Sequence, residues 1–275
     1  MALNDGNTGH DRCADPAAGF VSTLRLIVDH PHRDGFYNMA LDEVLALAAG
    51  QGRSGAVVRL YGWNPPAVSL GYNQDDADID RAAWAAAGVD VVRRPTGGRA
   101  VFHKDELTYC VAAPADDPLL GGTIAQTYRT IGEALLAGLR ELGVGADMIR
   151  SEAGPAGPNR AASCFAAAGR YEITADGRKI VGSAQRRIGA ALLQQGSVLL
   201  SQPQDAAFAG LRDDGRSTTA ALILGRAVGF DEAAAAMITG FRSAWKTGLE
   251  RSPVTRDERE AAERLAAERR SRPAG

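Results

Sequence analysis

The chain has 275 residues, with 31 lysines and arginines against 33 aspartates and glutamates, so its formal net charge is -2 at pH 7. This balance argues against a strongly basic nucleic-acid-binding protein and against a highly charged disordered chain. The three cysteines, Cys13, Cys110 and Cys164, are too few for a disulfide framework and lack the paired spacing of a zinc site. We therefore expect a globular protein without a bound metal.

The chain also lacks the apolar segments of membrane and secreted proteins. There is no apolar run of about 18 residues or more, so no transmembrane helix is expected. The first 20 residues contain several aspartates and no apolar segment, which is typical of a disordered start rather than of a secretory signal. We expect a cytoplasmic protein with a disordered tail over residues 1–20, a folded domain over 21–250 and a charged helical or disordered tail over 251–275.

The predicted elements begin with a helix whose N-cap is Asp34 and which ends at Gly50. Strands over 56–61 and 67–71, a helix over 80–87 and strands over 89–93, 99–103 and 107–113 follow. The longest helical pattern covers 123–142, and residues 144–150 are predicted to be extended. Residues 151–168 are rich in Gly, Pro and Ala without periodicity, which predicts a long loop.

The second half begins with a predicted hairpin, because Asp176-Gly177 is a strong two-residue turn signal between strands over 170–175 and 178–187. A strand over 191–200 and helices over 205–211 and 231–249 follow, and the charged residues after 251 predict a solvated helix or a frayed tail. Runs of strands with few crossover helices favour the α+β class, with a mixed or antiparallel sheet and flanking helices.

The first candidate site is the segment 93–103, which contains Pro95-Thr96-Gly97-Gly98-Arg99 between two strands. We call residues 95–99 the Gly-Gly turn. Glycines let a backbone approach a ligand closely, and free N–H groups there bind an anion or a polarised carbonyl oxygen. The alternative is an ordinary tight turn with solvated arginines. His103, at the end of the second strand, is either a packing residue or a ligand-facing one.

The second candidate is Cys164, which lies in the predicted loop. A lone intracellular cysteine is usually a small buried apolar residue, and Cys110, within an apolar strand, fits that description. Cys164 fits it less well, and a loop thiol near a cation would be a thiolate nucleophile.

The third candidate is Lys179, just after the predicted hairpin turn. The small residues Gly182 and Ser183 follow it and leave room for a ligand or another backbone. Surface lysines usually point to water, but a lysine close to a thiol favours the thiolate. The hairpin would allow Cys164 and Lys179 to lie close together.

These segments together resemble the biotin/lipoate protein ligase superfamily, and within it most closely the octanoyl-[acyl carrier protein]:protein N-octanoyltransferases of the LipM type. The resemblance is carried by three stretches of this sequence: Arg-Arg-Pro-Thr-Gly-Gly-Arg-Ala-Val-Phe-His followed by Glu-Leu-Thr-Tyr (93–109), Cys-Phe (164–165) with Tyr-Glu (171–172), and Gly-Arg-Lys-Ile-Val-Gly-Ser-Ala-Gln (177–185). It covers about residues 33–201. One departure is Cys110, where a serine is expected.

The resemblance implies the catalytic domain shared by biotin ligases and class II aminoacyl-tRNA synthetases, and an acyltransferase of lipoyl cofactor biosynthesis. The family moves octanoate from octanoyl-acyl carrier protein to a lysine of lipoyl-domain proteins, such as the glycine-cleavage H protein and 2-oxoacid dehydrogenase acyltransferase subunits. Cys164 matches the cysteine that holds the acyl group as a thioester, and Lys179 matches the lysine that lowers its pKa. The residues that match the acyl-pocket loop are Arg94, Thr96, Gly97, Gly98 and His103.

The chemistry agrees with that assignment, because transfer between thioesters is nearly isoenergetic and transfer to an amide is downhill. No cofactor is then needed, and the Gly-Gly turn would stabilise the oxyanion by about 3 kcal/mol per donor. The main alternative is an ATP- and Mg-dependent lipoate–protein ligase, which Arg99 disfavours because ligases carry a third glycine there. An amidotransferase between carrier proteins and an inactive scaffold are the others.

The expected partners are acidic carrier proteins, with no role for nucleic acid or membrane. The near-neutral net charge predicts that a local patch recognises them rather than the whole surface. The arginines that we assign to this patch are Arg93, Arg94, Arg99, Arg186 and Arg187.

Overall fold

The computed structural model describes residues 23–75, 79–151, 170–202 and 216–271. Within these ranges the elements in chain order are β1 (Leu24–Val28), α1 (Gly35–Gly50), β2 (Val57–Tyr61), β3 (Ala67–Leu70), α2 (Arg81–Ala86), β4 (Asp90–Arg93), β5 (Val101–His103), β6 (Glu106–Pro114), α3 (Ile124–Glu141), β7 (Asp147–Ser151), β8 (Arg170–Ala175), β9 (Arg178–Ile188), β10 (Ala191–Leu199), α4 (Ala220–Leu224), α5 (Phe230–Trp245), β11 (Leu249–Arg251) and α6 (Arg256–Ser271). None of the helices in these ranges is both long and apolar enough to cross a membrane.

The strands of the described part of the chain form two sheets. The large sheet has the strand order β11-β1-β2-β6-β10-β9-β8-β7, and a small sheet has the order β4-β3-β5. In the large sheet β1 runs parallel to both β2 and β11, and the other neighbours are antiparallel. The small sheet has one parallel and one antiparallel pair. The predicted α+β class with a mixed sheet is therefore confirmed.

Helices cover both faces of the large sheet, which buries two apolar clusters. The larger cluster lies under α3 and α5 and includes Leu60, Leu135 and Phe241. The other lies under α1 and α6 and includes Leu41 and Leu193. Along each strand alternate side chains therefore enter different clusters, because successive Cβ atoms point to opposite faces.

Helices α3 and α5 cross at a pair of glycines. A Cβ atom on Gly240 would lie 2.2 Å from the backbone nitrogen of Gly138, so the two helix backbones are in direct contact at this point. No side chain fits there without moving one helix away from the other.

The structure confirms most of the predicted elements. Asp34 caps α1 by accepting a hydrogen bond from the Tyr37 amide, and Thr123 begins α3 with a capping box. Asp176 and Gly177 have φ values of 49° and 72° and form the predicted hairpin turn.

Three elements, β1, α4 and β11, were not predicted from the sequence. The helix predicted over 231–249 ends at Trp245, because Lys246 adopts the left-handed conformation with φ of 50° and stops it. Leu249 belongs instead to β11, where it pairs with Leu24. Most of the predicted loop over 151–168 and all of the predicted helix over 205–211 lie outside the described residues.

The charged C-terminal segment forms α6, which packs against α1 rather than standing in solvent. Its alanine face is buried at Ala262 and Ala266. Ion pairs join the segment to the rest of the domain: Arg25 with Glu258 at 2.5 Å, Arg270 with Asp34 at 2.9 Å, and Arg269 with Glu43. The alanines among the charged residues of this segment thus form the buried face of an amphipathic helix.

Candidate functional site

The Gly-Gly turn is held by Arg94, whose guanidinium donates hydrogen bonds to backbone carbonyl oxygens. Its Nη2 donates to the carbonyl oxygens of Gly97 at 2.7 Å and Arg99 at 2.8 Å, and its Nη1 donates to that of Ser69 at 2.8 Å. The residue is only 8% exposed, and burial lowers the pKa of Arg94 to about 10. Arg94 therefore holds the turn from below, and the alternative of a turn with solvated arginines is wrong at this position.

The backbone of the turn is closely packed on one side and open on the other. A Cβ atom on Gly71 would lie 1.9 Å from the carbonyl oxygen of Gly98, which has a φ of 102°. Within the described part of the chain, the N–H groups of Gly97 and Gly98 donate to no acceptor. Because Arg94 holds the Gly97 carbonyl, the Gly98 N–H of the same trans peptide points the opposite way. The turn therefore presents unpaired donors on its free side.

Thr96 ties the turn to the large sheet through residues that the sequence analysis missed. Its hydroxyl donates to Gln195 Oε1 at 3.0 Å, and Gln195 Nε2 donates to Asp42 Oδ2 at 2.5 Å. Asp42 forms a fully buried ion pair with Arg59 at 2.7 Å. Burial opposes the charge on Arg59, but the carboxylates of Asp42 and Asp29 outweigh it and raise the pKa of this arginine. An arginine in the middle of the apolar strand β2 is the sequence signal that could have revealed this network.

His103 is buried beside the turn, and both of its ring nitrogens have partners. Nε2 lies 2.6 Å from Ser69 Oγ, and Nδ1 lies 2.8 Å from Glu106 Oε1. The ring stacks on Trp63 with a centroid distance of 4.1 Å. The residue is 6% exposed, so the structure places it beneath the turn rather than on an open surface.

Lys179 and Gly182 share one face of β9. A Cβ atom on Gly182 would lie 3.6 Å from Cε of Lys179, so the lysine stem passes over the glycine. Lys179 Nζ lies 3.6 Å from Glu172 Oε1, and the lysine side chain is 41% exposed. Further along the same face Arg186 donates to the carbonyl oxygen of Pro95 at 3.0 Å. Lys179 and the Gly-Gly turn are therefore on the same side of the large sheet.

Ser183 points to the opposite side. Its hydroxyl is 2.7 Å from the Tyr109 hydroxyl, which also accepts a hydrogen bond from Gln194 Nε2 at 2.9 Å. Tyr109 belongs to the apolar cluster under α3 and α5. The structure therefore brings Gly182 and Lys179 together on the side of the Gly-Gly turn and does not bring the Ser183 side chain there.

The two cysteines singled out from the sequence have different outcomes. Cys110 is fully buried, and burial, with a smaller contribution from the Asp42 carboxylate, raises the pKa of its thiol well above the usual value. The prediction of a small buried residue is confirmed. Cys164 lies outside the described residues, and its place in the site stays a prediction.

The predicted arginine patch needs correction, because most of its members hold backbone carbonyls. Arg94 is buried beneath the turn, and Arg93 donates to the carbonyl oxygen of Gly71 at 2.8 Å. Arg186 stacks on the Tyr72 ring at 3.4 Å, and Arg187 donates to the carbonyl oxygen of Gly122 at 2.8 Å. Arg94 is therefore not available to a partner protein.

No cluster of histidine, cysteine and carboxylate side chains suited to a metal ion occurs in the described ranges. The chemistry that the described residues offer consists of a lysine ammonium, unpaired backbone donors and a set of buried polar side chains beneath them.

Comparison with known proteins supplies the family. Residues 34–241 match the family described as the lipoyl protein ligase A/B catalytic domain. Octanoyltransferase LipM of Symbiobacterium thermophilum is 43% identical over 256 residues, covering 86% of this chain and 91% of the relative. Octanoyltransferase LipM of Kyrpidia tusciae is 39% identical over 249 residues, covering 84% and 90%.

Solved structures agree on the fold. A lipoate-protein ligase A bound with ATP superposes with a TM-score of 0.71 at 24% identity, covering 91% of this chain and 96% of that one. A bi-partite lipoate protein ligase from Thermoplasma acidophilum superposes with a TM-score of 0.69 at 22% identity, covering 89% and 92%. With the sequence match over most of its length, the chain belongs to the lipoyl protein ligase A/B catalytic domain family.

Proposed function

We propose that this chain transfers an octanoyl group from octanoyl-acyl carrier protein to a lysine of a lipoyl-domain protein, through a thioester on Cys164. The observation that carries the proposal is the similarity, at 43% identity and 91% coverage, to a relative named octanoyltransferase. Transfer of an octanoyl group makes the chain an acyltransferase of lipoyl cofactor biosynthesis. The arrangement of Lys179 and the Gly-Gly turn on one side of the sheet supports the same reaction.

In the first half-reaction the Cys164 thiolate attacks the carbonyl carbon of the octanoyl thioester. A carbon–sulfur bond forms to Cys164, the bond to the carrier thiol breaks, and the carrier leaves as a thiolate that takes up a proton. An ordinary cysteine has a pKa of roughly 8.5, so the thiol is mostly protonated at pH 7. The Lys179 ammonium would lower the pKa of Cys164 by its positive charge.

In the second half-reaction the neutral amine of the acceptor lysine attacks the Cys164 thioester. The amide bond forms, the cysteine leaves as a thiolate, and the amine nitrogen gives up a proton. Both half-reactions develop negative charge on the octanoyl oxygen. The unpaired N–H groups of Gly97 and Gly98 suit that oxygen, and each such donor is worth about 3 kcal/mol in known enzymes. Gly182 leaves space beside Lys179, and the substrate-binding role of Ser183 would be through its backbone.

The partners that this reaction requires are a carrier protein and a lipoyl-domain protein. We propose octanoyl-acyl carrier protein as the donor, and the H protein and 2-oxoacid dehydrogenase subunits as acceptors. The structural relative from Thermoplasma acidophilum is described together with its E2 lipoyl domain, which supports an acceptor of this kind. Because Arg94 is buried, we assign recognition of the acidic carrier to the exposed Arg99 rather than to the whole predicted patch.

The test of the overall reaction compares two donors. The protein is incubated with a purified lipoyl domain and either octanoyl-acyl carrier protein alone or octanoate with ATP and Mg. We expect the lipoyl domain to gain one octanoyl group with the carrier donor alone. Modification only in the presence of ATP would contradict the proposal and favour the ligase.

The test of the nucleophile is intact-mass spectrometry after incubation with octanoyl-acyl carrier protein without an acceptor. We expect an added octanoyl group in the wild type and in Cys110→Ala, and none in Cys164→Ala. Cys110→Ala is the matched control because Cys110 is fully buried. An adduct that persists in Cys164→Ala would refute the assignment.

The role of Lys179 is tested by the pH dependence of iodoacetamide labelling at Cys164. A positive charge close to the thiol lowers its pKa, so Lys179→Ala should move the labelling midpoint to higher pH and Lys179→Arg should restore part of the shift. The same midpoint in all three proteins would show that Lys179 does not act on the thiol.

A further inference from the structure

Glu106 is a buried carboxylate that the proposed reaction does not use. Its side chain is 1% exposed, and all of its hydrogen bonds converge on one oxygen. Oε1 accepts from His103 Nδ1 at 2.8 Å, from Ser197 Oγ at 2.7 Å and from Thr108 Oγ1 at 2.5 Å. Oε2 is buried and has no hydrogen-bond partner among the residues that the structure describes. Such an asymmetric arrangement calls for a reason, because buried polar atoms are nearly always paired.

The hydrogen bonds from Arg94 to Glu106 form one chain whose direction is determined by its ends. Arginine can only donate, and the Glu106 oxygen accepts. Arg94 Nη1 donates to Ser69 Oγ at 3.1 Å, which leaves the Ser69 hydroxyl proton free to be donated to His103 Nε2 at 2.6 Å. Because the Glu106 carboxylate only accepts, a neutral His103 ring carries its proton on Nδ1, donates it to Glu106 and accepts at Nε2. In this arrangement each group donates to the next, and Glu106 ends the chain.

The chain connects Glu106 to the Gly-Gly turn. The same guanidinium that donates to Ser69 also holds the carbonyl oxygens of Gly97 and Arg99. If His103 carried its proton on Nε2, that proton would face the Ser69 hydroxyl and the chain would lose its order at that point. The tautomer of His103 therefore affects the hydrogen bond from Arg94 to Ser69 and, through Arg94, the position of the turn.

We propose that Glu106 is a positioning residue, which keeps His103 in the Nδ1–H tautomer and thereby orients the Gly-Gly turn through Ser69 and Arg94. Its contribution is an acceptor oxygen at the end of the chain and not a charge at the reacting atoms, since Oε2 is enclosed. The catalytic consequence rests on the proposed function, in which the amides of the turn bind the octanoyl oxygen.

The variants that test this role differ in whether an acceptor remains. Glu106→Gln keeps an oxygen at the Oε1 position, where all three donors converge, and should retain activity within about threefold of the wild type. Glu106→Met removes the acceptor and should lower kcat about 10- to 100-fold, with little change in KM for the donor, since the turn acts on the transition state. Ser69→Ala interrupts the chain with a smaller change and should lower kcat in the same way.

Two nuclear magnetic resonance measurements follow the chain without any reaction. The ring nitrogens of His103, one of four histidines, report the tautomer, and the amide signals of Gly97 and Gly98 report the turn. We expect the Nδ1–H tautomer in the wild type and in Glu106→Gln, its loss in Glu106→Met, and shifted turn signals in Glu106→Met and Ser69→Ala. Ser197→Ala, which removes a different donor from the same oxygen, should leave tautomer and turn signals unchanged.

The outcomes separate this proposal from the proposed function. Failure of the wild type to transfer octanoate would refute the reaction, while the tautomer and turn signals would still decide whether Glu106 positions the turn. An Nε2–H tautomer in the wild type would overturn the proposal, as would unchanged turn signals in both Glu106→Met and Ser69→Ala. A loss of activity in Glu106→Gln as large as in Glu106→Met would show that the charge matters and would also overturn it.

Discussion

The buried ion pair between Asp42 and Arg59 offers a stability prediction whose size follows from its surroundings. Both side chains are 0% exposed. The Asp42 carboxylate also accepts from the Tyr61 hydroxyl at 2.7 Å and from Gln195 at 2.5 Å. Asp42→Asn keeps the shape but removes the charge, and places an amide NH₂ where two donors already point. Breaking a buried pair costs about 3–5 kcal/mol. Arg59 keeps its contact with Asp29 at 2.6 Å, so we expect a loss of about 3 kcal/mol, the lower end of that range.

Urea unfolding measures this loss. With an m-value of about 3 kcal/mol per molar urea, the midpoint should fall by about 1 M. The matched control is Glu43→Gln, one residue further along α1, because the pair of Glu43 with Arg269 is partly exposed and should contribute no more than about 1 kcal/mol. Equal midpoints for the two variants would refute the reasoning. Asp42→Asn combined with Arg59→Met should be less destabilised than Asp42→Asn alone, since no unpaired charge stays buried.

Three further predictions concern the turn, the C-terminal helix and the unused cysteine. Gly71→Ala places a Cβ atom 1.9 Å from a carbonyl oxygen of the Gly-Gly turn, so the turn must move and the transfer rate in a steady-state assay should fall about 100-fold. The control Gly55→Ala, whose Cβ atom meets nothing within 4 Å, should match the wild type in the same assay. Burial opposes ionisation of Glu258, but its hydrogen bonds with Arg25 outweigh this effect and lower the pKa of its carboxyl below 4.5. The stability from this pair is therefore present above that pH and is lost as the pH falls through the folded-state pKa. Acid unfolding curves of Glu258→Gln should lack this loss of stability at low pH. A wild-type-like decline in Glu258→Gln would contradict the pairing. Cys110→Ala should unfold at a lower urea concentration, because its free energy of unfolding falls by about 1 kcal/mol or slightly more, yet it should transfer octanoate at the wild-type rate. Loss of transfer in the folded variant would mean that this buried thiol takes part in the chemistry.

Local signals in the sequence were sufficient for most elements. Asp34 before an apolar helical pattern predicted α1, and Asp176-Gly177 predicted the β8–β9 hairpin, because capping and left-handed turn conformations depend on the residues themselves. The short strands β1 and β11 were missed. They pair with each other, and β1 pairs with β2, so their stability comes from partners more than 200 positions apart in one case. Contacts of that kind leave no local pattern.

The end of α5 shows the same limit at a single residue. The apolar spacing continues to Leu249, yet the helix ends at Trp245 because Lys246 turns into the left-handed conformation. Leu249 is then buried against β1 rather than along the helix. Periodicity does not distinguish these outcomes, since both bury the leucine.

By itself the sequence determined the α+β class, the family and the candidate residues around the Gly-Gly turn and Lys179. It did not determine what each polar residue does. Arg94 was predicted to belong to a surface patch that recognises acidic carrier proteins, whereas the fold buries it and directs its guanidinium to backbone carbonyls. Adjacent Gly182 and Ser183 were predicted to act together, whereas strand alternation sends them to opposite faces. The partners of His103 and Thr96 come from distant strands, so hydrogen-bond direction and burial were decided only when the chain folded.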